Sequence, residues 1–136
     1  MLDMQIDLAN VRRALDRVRH RARGEEVDSA APITGGTLSP GLLDEISEAA
    51  NLVDAFEVLA DTYFAPGIDK GILAFGRAQH LGVMERFLEI VVIDAGCRLF
   101  RGDPLTVSVP LGFLWRKYSE FLNLRIVLRG KSYRMP

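Results

Sequence analysis

Apolar residues recur at three- and four-residue steps through most of the sequence, and this spacing constrains the fold more than any other feature. Near the N-terminus the series consists of Leu8, Val11, Leu15, Val18 and Ala22. This spacing matches the 3.6-residue turn of an α-helix and places the apolar side chains along one face. No segment combines alternating polarity with a hairpin turn strongly enough to require a sheet. The sequence therefore predicts an all-α fold, an antiparallel helical bundle.

Capping and turn residues predict where the first two helices begin and end. Asp7 is predicted as the N-cap of the first helix, and Gly24 as its stop. Residues 24–38, rich in turn formers, are predicted to be a loop. Ser39 followed by Pro40 predicts the start of a second helix, because serine caps the free backbone N–H groups and proline suits the first helical position.

The predicted helix boundaries are less sharply marked in the rest of the sequence. Asn51 is predicted to break the second helix, and residues 68–99 are predicted to be the longest helical segment. The β-branched residues 91–93 could suggest a strand, but the charged and apolar pattern around them favours a helix. Residues 106–110 are predicted to be an extended connector and residues 110–128 the last helix. The core candidates of these segments are Val53, Phe56, Leu59, Ile72, Phe75, Leu81, Met84, Leu88 and Ala95. One side of the last helix is predicted to carry Leu111, Leu114, Tyr118, Leu122, Ile126 and Arg129.

The overall net charge of −1 conceals a strong segregation of charge. Residues 1–24 hold six arginines against three acidic residues, and residues 25–75 hold ten acidic residues against one lysine. Residues 76–136 hold ten basic residues against five acidic ones. A basic–acidic–basic order is unlike a uniformly basic nucleic-acid-binding protein, and it predicts contacts between the ends and the middle or with different partners.

A search for catalytic and metal-binding patterns yields no site, and no cofactor is predicted. Cys97 is the only cysteine and is predicted to be a buried structural thiol. His20 and His80 have no second ligand at a spacing that suits zinc. Gly35 and Gly36 are not followed by the lysine of a phosphate-binding loop, so no nucleotide site is predicted. No apolar run is long enough to span a bilayer, and the protein is predicted not to be an enzyme.

The arginine-rich first helix leaves a second function open. Its arginines could contact phosphates, which would make the chain a small helical nucleic-acid-binding or regulatory domain. Against this, Asp16 shares the helix and no aromatic residue is placed to stack on bases. A solvated or protein-contacting face is the preferred interpretation.

Two distant segments repeat one residue order. Residues 7–12 and 120–125 both read acidic, apolar, any, asparagine, apolar, arginine. An asparagine between apolar neighbours needs hydrogen-bond partners, so Asn10 and Asn123 are predicted to order a buried polar layer between helices.

These motifs lead to a resemblance with a known family. The run from Pro110-Leu111-Gly112 to Gly130-Lys131, with Glu120, Asn123 and Arg125 between, resembles the closing motif of the C subunits of prokaryotic A/V-type ATPases, the counterparts of the eukaryotic d subunits. Asp7-Leu8-Ala9-Asn10-Val11 is similar to the start of the family's first helix. Gly35-Gly36-Thr37-Leu38-Ser39 is similar to a Gly-Gly-x-Leu-Ser helix start of that family. The three matches occur in the family's order.

The resemblance implies a non-catalytic subunit that does no chemistry of its own. Family members are all-helical and funnel-shaped, built from three similar repeats. They lie on the cytoplasmic end of the membrane proteolipid ring, where they receive the central axle and couple ATP hydrolysis or synthesis to ion transport. Residues 1–136 are accordingly expected to be a single helical domain resembling the central-to-C-terminal portion of one repeat, either as a fragment or as a short relative.

The resemblance also selects candidate structural or interface residues. They are Asp7, Asn10, Arg13, Glu120, Asn123, Arg125, Arg129 and Lys131. The arginines among them are expected to be available for contacts with partners. The sequence departs from the family's Glu-Asn-Glu before the second asparagine motif, since Lys117-Tyr118-Ser119-Glu120 retains only the last acidic residue.

Overall fold

The structure, a computed structural model, describes residues 2–26, 30–99 and 107–132, and these residues confirm the all-α helical bundle. They form six helices, and none of the described residues lies in a strand. The helices are α1 (Leu2–Ala22), α2 (Pro40–Glu48), α3 (Leu52–Ala60), α4 (Ala65–Ala78), α5 (Leu81–Arg98) and α6 (Ser108–Ser132). The contacts divide the chain into two compact units, Met1–Val92 and Ile93–Pro136.

In the first unit, α1 packs against α2 and α3, α2 packs on α3, and α3 packs on α4. The predicted apolar face of α1 is buried, except for Ala22 at its exposed end. Phe56 of α3 meets Phe75 of α4 edge to face, with ring centroids 5.0 Å apart. The fully buried apolar side chains of this unit include Val11, Leu15, Val18, Ile46, Phe56, Leu59, Phe64, Met84, Leu88 and Val92.

One predicted helix start and one predicted break are confirmed, and one predicted helix start is wrong. Ser39 caps α2, its Oγ accepting from the Leu42 N–H at 3.2 Å, and Pro40 is the first residue of the helix. The break predicted at Asn51 is present, since α2 ends at Glu48 and Asn51 is the N-cap of α3. Asp7, however, is not an N-cap: α1 begins at Leu2, and the Asp7 side chain lies in mid-helix. Its carboxylate accepts from backbone far along the chain instead of from its own helix, so local pattern misplaced the helix start.

The predicted longest helical segment, residues 68–99, is divided between α4 and α5. α4 already begins at Ala65, and the break lies at Gln79, whose backbone is left-handed with φ 50° and whose N–H donates to the Phe75 carbonyl at 2.7 Å. His80 follows, and its Nδ1 accepts from the Gly82 N–H at 3.1 Å, which stabilises the start of α5. The β-branched residues 91–93 lie within α5, so the helical interpretation is confirmed.

Some predicted core positions are exposed. Val53 is 48% exposed because it lies in the first turn of α3, directly after the Asn51 cap. Of the core candidates in α4 and α5, Phe75, Leu81, Met84 and Leu88 are buried as predicted.

The second unit contains the end of α5 and the 25-residue α6. A Cβ atom on Gly96 would lie 2.4 Å from Trp115 Cδ2, so the indole packs directly on the glycine backbone. Residues 108–110 are helical, not extended, and the rest of the predicted connector lies outside the described residues, apart from residue 107 at its edge. Cys97 is only half-buried, contrary to expectation, because the end of α5 is partly exposed. Across the described ranges, no helix is long and apolar enough to cross a membrane.

Candidate functional site: a polar strip on helix α1

Four polar side chains of α1 lie along one face of the helix and bond to distant parts of the first unit. They are Asp7, Asn10, Arg17 and Arg21, and we call this set the polar strip. Their three-, seven- and four-residue steps keep them on one side of an α-helix, beside the apolar face. The strip therefore adds directional bonds to an interface that is otherwise apolar.

Asp7 is the most enclosed member of the strip, with a side chain that is 0% exposed. Its Oδ2 accepts from Thr37 N at 2.9 Å, from Thr37 Oγ1 at 2.6 Å and from Tyr63 Oη at 2.8 Å. Its Oδ1 accepts from Leu38 N at 3.1 Å. A buried carboxylate is tolerated only when its oxygens are satisfied, and these four donors satisfy them.

The donors around Asp7 also set its protonation state. Burial acts to raise the pKa of Asp7, but the hydrogen bonds from Thr37, Tyr63 and Leu38 outweigh it, so the pKa lies below its ordinary value. Burial, followed by the hydrogen bond to Asp7 and then by the Asp7 charge, raises the pKa of Tyr63 well above its ordinary value. The pair is thus an anion and a neutral phenol at physiological pH, with the phenol donating.

Gly36 makes the close approach to Asp7 possible. A Cβ atom at this position would lie 2.0 Å from Asp7 Oδ1 and 2.9 Å from its Cγ, distances that no side chain could occupy. The backbone after Gly36 can then turn its N–H groups of Thr37 and Leu38 toward the carboxylate. The Asp-x-x-Asn and Gly-Gly-x-Leu-Ser motifs, separate in the sequence, are therefore two halves of one contact.

Asn10 pairs with the backbone of Ile33 in both directions. Its Nδ2 donates to the Ile33 carbonyl at 2.9 Å, and its Oδ1 accepts from the Ile33 N–H at 2.8 Å. Asn10 is 5% exposed, so both the amide oxygen and the amide nitrogen are satisfied inside the protein. Asn10 thus fastens the middle of the loop before α2, one helical turn along α1 from the Asp7 contact with that loop's end.

The two arginines extend the strip toward the end of α1. Arg17 Nη2 donates to the carbonyl of Ala30, and Arg21 Nη2 donates to the carbonyl of Ser47 at 2.8 Å. Arg21 therefore also binds the last turn of α2, where carbonyls lack helical partners. These internal bonds count against the nucleic-acid interpretation, which requires the guanidinium groups on a free basic face.

The remaining candidate residues are placed differently. Arg13 is exposed, beside a shallow groove that Asn10, Arg17 and Asp44 also line. Five candidates lie on α6, and all of them are exposed: Glu120, Asn123, Arg125, Arg129 and Lys131. Glu120 Oε2 pairs with Lys117 Nζ at 2.8 Å.

The predicted polar layer is present at one of the two repeated asparagines. Asn10 is buried and doubly bonded, whereas Asn123 is exposed, so no buried layer surrounds it. The reason is local: among the described residues of α6, only Gly112 and Leu122 are buried. The equal residue order of the two segments therefore does not give equal environments in this chain.

Three residues that complete the site were missed by the sequence interpretation. In the sequence, Gly36 and Thr37 were interpreted only as part of a turn and a helix start, and Tyr63 belongs to none of the motifs. The sequence did contain one indication of this site. An acidic residue on the buried face of α1 and a Gly-Gly-Thr turn are both present, and a turn that presents consecutive N–H groups is suited to binding a carboxylate.

These contacts define a class of protein. It is a helical domain whose most enclosed polar residues hold one loop and two helix ends in place. Asp7 has no open side from which to bind a substrate. No group of three potential metal ligands is found in the described parts of the chain.

Comparison with known proteins supplies the family. The family model described as ATP synthase (C/AC39) subunit matches residues 1–136, and the chain belongs to this family. It is 22% identical over 126 residues to an A-type ATP synthase C subunit of Methanocaldococcus jannaschii, a match covering 93% of this chain and 32% of the relative. It is 27% identical over 133 residues to the A-type ATP synthase C subunit of Halorubrum lacusprofundi, covering 96% and 37% respectively.

The chain thus spans about a third of the length of these curated relatives. No solved structure matches it significantly.

Proposed function

We propose that this chain is a non-catalytic part of the central-stalk connector of a proton- or sodium-translocating A/V-type ATPase. In this role it joins the rotor axle to the membrane proteolipid ring, on the cytoplasmic face of the membrane, and residues 1–136 correspond to one helical repeat of the connector. Membership of the ATP synthase (C/AC39) subunit family supports the proposal.

The main observation behind the proposal is that the polar strip fastens α1 to the loop before α2 and to the end of α2. Asp7 and Asn10, the residues of the first family motif, direct their hydrogen bonds to the loop before α2. A connector that transmits torque needs helices that move together. Bonds from α1 to Ile33, Thr37 and Ser47 supply that stiffness more directionally than apolar contact does.

The same geometry argues against a catalytic role for the strip. A general base needs a free lone pair directed at a substrate and a pKa near the working pH. The Asp7 oxygens already accept four hydrogen bonds, and its pKa is shifted away from neutrality. In the proposed role, the chain holds helices in position, and the ATP chemistry belongs to other subunits of the complex.

The exposed candidates are proposed as partner-contacting residues. Arg13, Arg125, Arg129 and Lys131 keep their charged groups at the surface, where arginine forms bidentate pairs with carboxylates. Glu120 and Asn123 accompany the three basic residues on α6.

Co-purification tests the proposal. The tagged full-length chain is expressed with the axle subunits and the proteolipid ring of its own organism, and the complex is recovered in detergent. We expect both to be retained and the purified chain alone to show no ATP hydrolysis. Retention of neither the axle nor the ring would contradict the proposal.

A matched pair of variants makes the experiment specific. Arg125→Ala with Arg129→Ala removes two exposed charges from α6 and is expected to reduce retention. Arg23→Ala with Arg77→Ala removes two exposed charges elsewhere and is expected to leave retention unchanged. Equal behaviour of the two variants would show that the exposed arginines of α6 do not contact these partners.

A further inference from the structure

The loop before α2 is held in place without a buried apolar side chain. Residues 30–38, which we call the strap, run along α1 to the N-cap of α2, and none of them is buried. Ile33 is 40% exposed, and Leu38 is only half-buried. The helices on either side differ, since Leu15 of α1 and Ile46 of α2 are fully buried. The strap therefore lacks the apolar anchors that hold α1 and α2 together.

Hydrogen bonds from the polar strip fasten the strap instead. Arg17 binds its first residue, Asn10 its fourth and Asp7 its last two. Apart from the Thr37 hydroxyl, the strap contributes backbone N–H and carbonyl groups to these bonds. When the strap leaves α1, water replaces the partner on both sides of each bond, so the net strength of a bond is much smaller than its gross strength. The strap is thus attached by polar contacts that water can substitute.

The contacts that hold α2 on α1 do not depend on the strap. Leu43 and Ile46 of α2 are buried, and Arg21 of α1 donates to the carbonyl of Ser47 at 2.8 Å. The strap forms only one wall of the groove between the two helices, through Ala30 and Pro32. Opening of the strap therefore leaves α1 and α2 packed, and it exposes polar surface for the most part.

We propose that the strap opens and closes on α1 as one unit while the helices of the first unit stay folded and packed. Its attachments lie only three and four residues apart, so the backbone position that one bond requires is set by the others. The closed strap conceals Asp7 and Asn10, which are 0% and 5% exposed. The open strap presents both of them, with Arg17, along one side of α1. Partial opening of this kind is a low-energy excursion that contiguous segments of native proteins undergo.

Native-state hydrogen exchange tests the opening on the purified chain, with no other subunit present, so the result is independent of the proposed function. The reporters on the strap are the amides of Ile33, Thr37 and Leu38, which donate to side chains of α1 at 2.8, 2.9 and 3.1 Å. The reporters on the core are the amides of Val11 and Leu15, inside α1. Exchange is followed by NMR in low concentrations of urea, where closing is faster than exchange.

The strap amides are expected to share one protection factor, at least about tenfold below that of the core amides. Their protection is also expected to be nearly independent of urea, because strap opening exposes little surface. The core amides exchange through global unfolding, so their protection falls steeply with urea. These slopes are measured on the wild type and need no variant.

A matched pair of asparagine variants tests whether the strap moves as a unit. Asn10→Ala removes both bonds to Ile33, and it is expected to speed exchange at Thr37 and Leu38 roughly tenfold, although neither amide binds Asn10. Asn51→Ala removes the cap of α3, which is present whether the strap is closed or open. It is expected to lower the protection of the core amides several-fold and to leave the strap amides unchanged.

Three results would overturn the proposal. Equal protection and equal urea slopes for the strap and core amides would show that the strap leaves α1 only when the whole unit unfolds. Unchanged exchange at Thr37 and Leu38 in Asn10→Ala would show that the attachments open separately. Faster exchange of the strap amides in Asn51→Ala, by the same factor as the core amides, would again indicate global unfolding. Far-UV circular dichroism verifies that each variant is folded.

Discussion

Replacing Asp7 with asparagine tests the central contact of the polar strip. The amide oxygen can take the place of Oδ2 and accept from Thr37 and Tyr63. The amide NH₂ must then face the Leu38 N–H, from which the wild-type Oδ1 accepts at 3.1 Å. One buried donor is left unsatisfied, at a cost of about 1–3 kcal/mol, and the retained bonds lose the strength that a charged acceptor gives.

The expected loss in the free energy of unfolding is therefore about 3 kcal/mol near neutral pH. This is a large share of the roughly 5–15 kcal/mol that stabilises an ordinary domain. Urea denaturation followed by far-UV circular dichroism measures it from the transition midpoint and slope. Asp44→Asn makes the same chemical change at an exposed position and is expected to stay within about 0.5 kcal/mol of the wild type.

The pH dependence provides a second and independent measurement. The folded pKa of Asp7 lies below its ordinary value, so the unfolded chain binds the proton more readily. The stabilisation from the Asp7 charge is therefore complete above the ordinary aspartate pKa of about 3.9 and is lost as the pH falls through the folded pKa. The difference in the free energy of unfolding between the wild type and Asp7→Asn should therefore become smaller in acid. The reasoning would be refuted if Asp7→Asn lost as little free energy of unfolding as Asp44→Asn. It would also be refuted if the loss caused by Asp7→Asn stayed constant as the pH fell.

Three further substitutions test separate contacts, each by urea denaturation. Gly36→Ala places a Cβ atom 2.0 Å from Asp7 Oδ1 and should cost at least about 3 kcal/mol; a neutral result would show that the loop can move away freely. Asn51→Ala removes the acceptor for two N–H groups of α3, at 2.8 and 3.0 Å, and should cost about 1 kcal/mol, whereas no change would mean that water replaces the cap. Gln79→Gly removes the strain of a left-handed backbone at a non-glycine residue and should stabilise the protein by up to about 1 kcal/mol. The gain is reduced by loss of the hydrogen bond from the Gln79 side chain to the Gly76 carbonyl, and a destabilised variant would contradict this prediction.

The parts of the fold that could be predicted from residue types are those that depend on neighbours along the chain. Ser39 and Pro40 act within one helical turn of themselves, so their residue types were sufficient to place the start of α2, and Asn51 marked the break before α3. The apolar period of α1 likewise reports its buried face directly. The helical state of residues 91–93 followed from the pattern around them, in spite of their β-branched side chains.

Other local signals gave wrong boundaries because tertiary contacts took precedence. Asp7 has the residue type of an N-cap, yet its partners Thr37 and Tyr63 lie 30 and 56 residues further along the chain. The break at Gln79 carries no proline or glycine at the left-handed position, so residue type could not place it. Val53 matched the apolar period of α3 but falls in its exposed first turn.

Residue types and their spacing were enough to establish that this chain is helical, which face of α1 is buried and, through the motifs, the family to which the chain belongs. What the motif residues do depends on the tertiary structure. Asp7, Asn10 and Gly36 join α1 to the loop before α2, while Asn123, in the same residue order as Asn10, is exposed. The physical reason is that a polar side chain takes its role from the donors and acceptors that folding brings to it. For Asp7 and Asn10 those groups are mostly distant backbone amides and carbonyls, which no local pattern encodes.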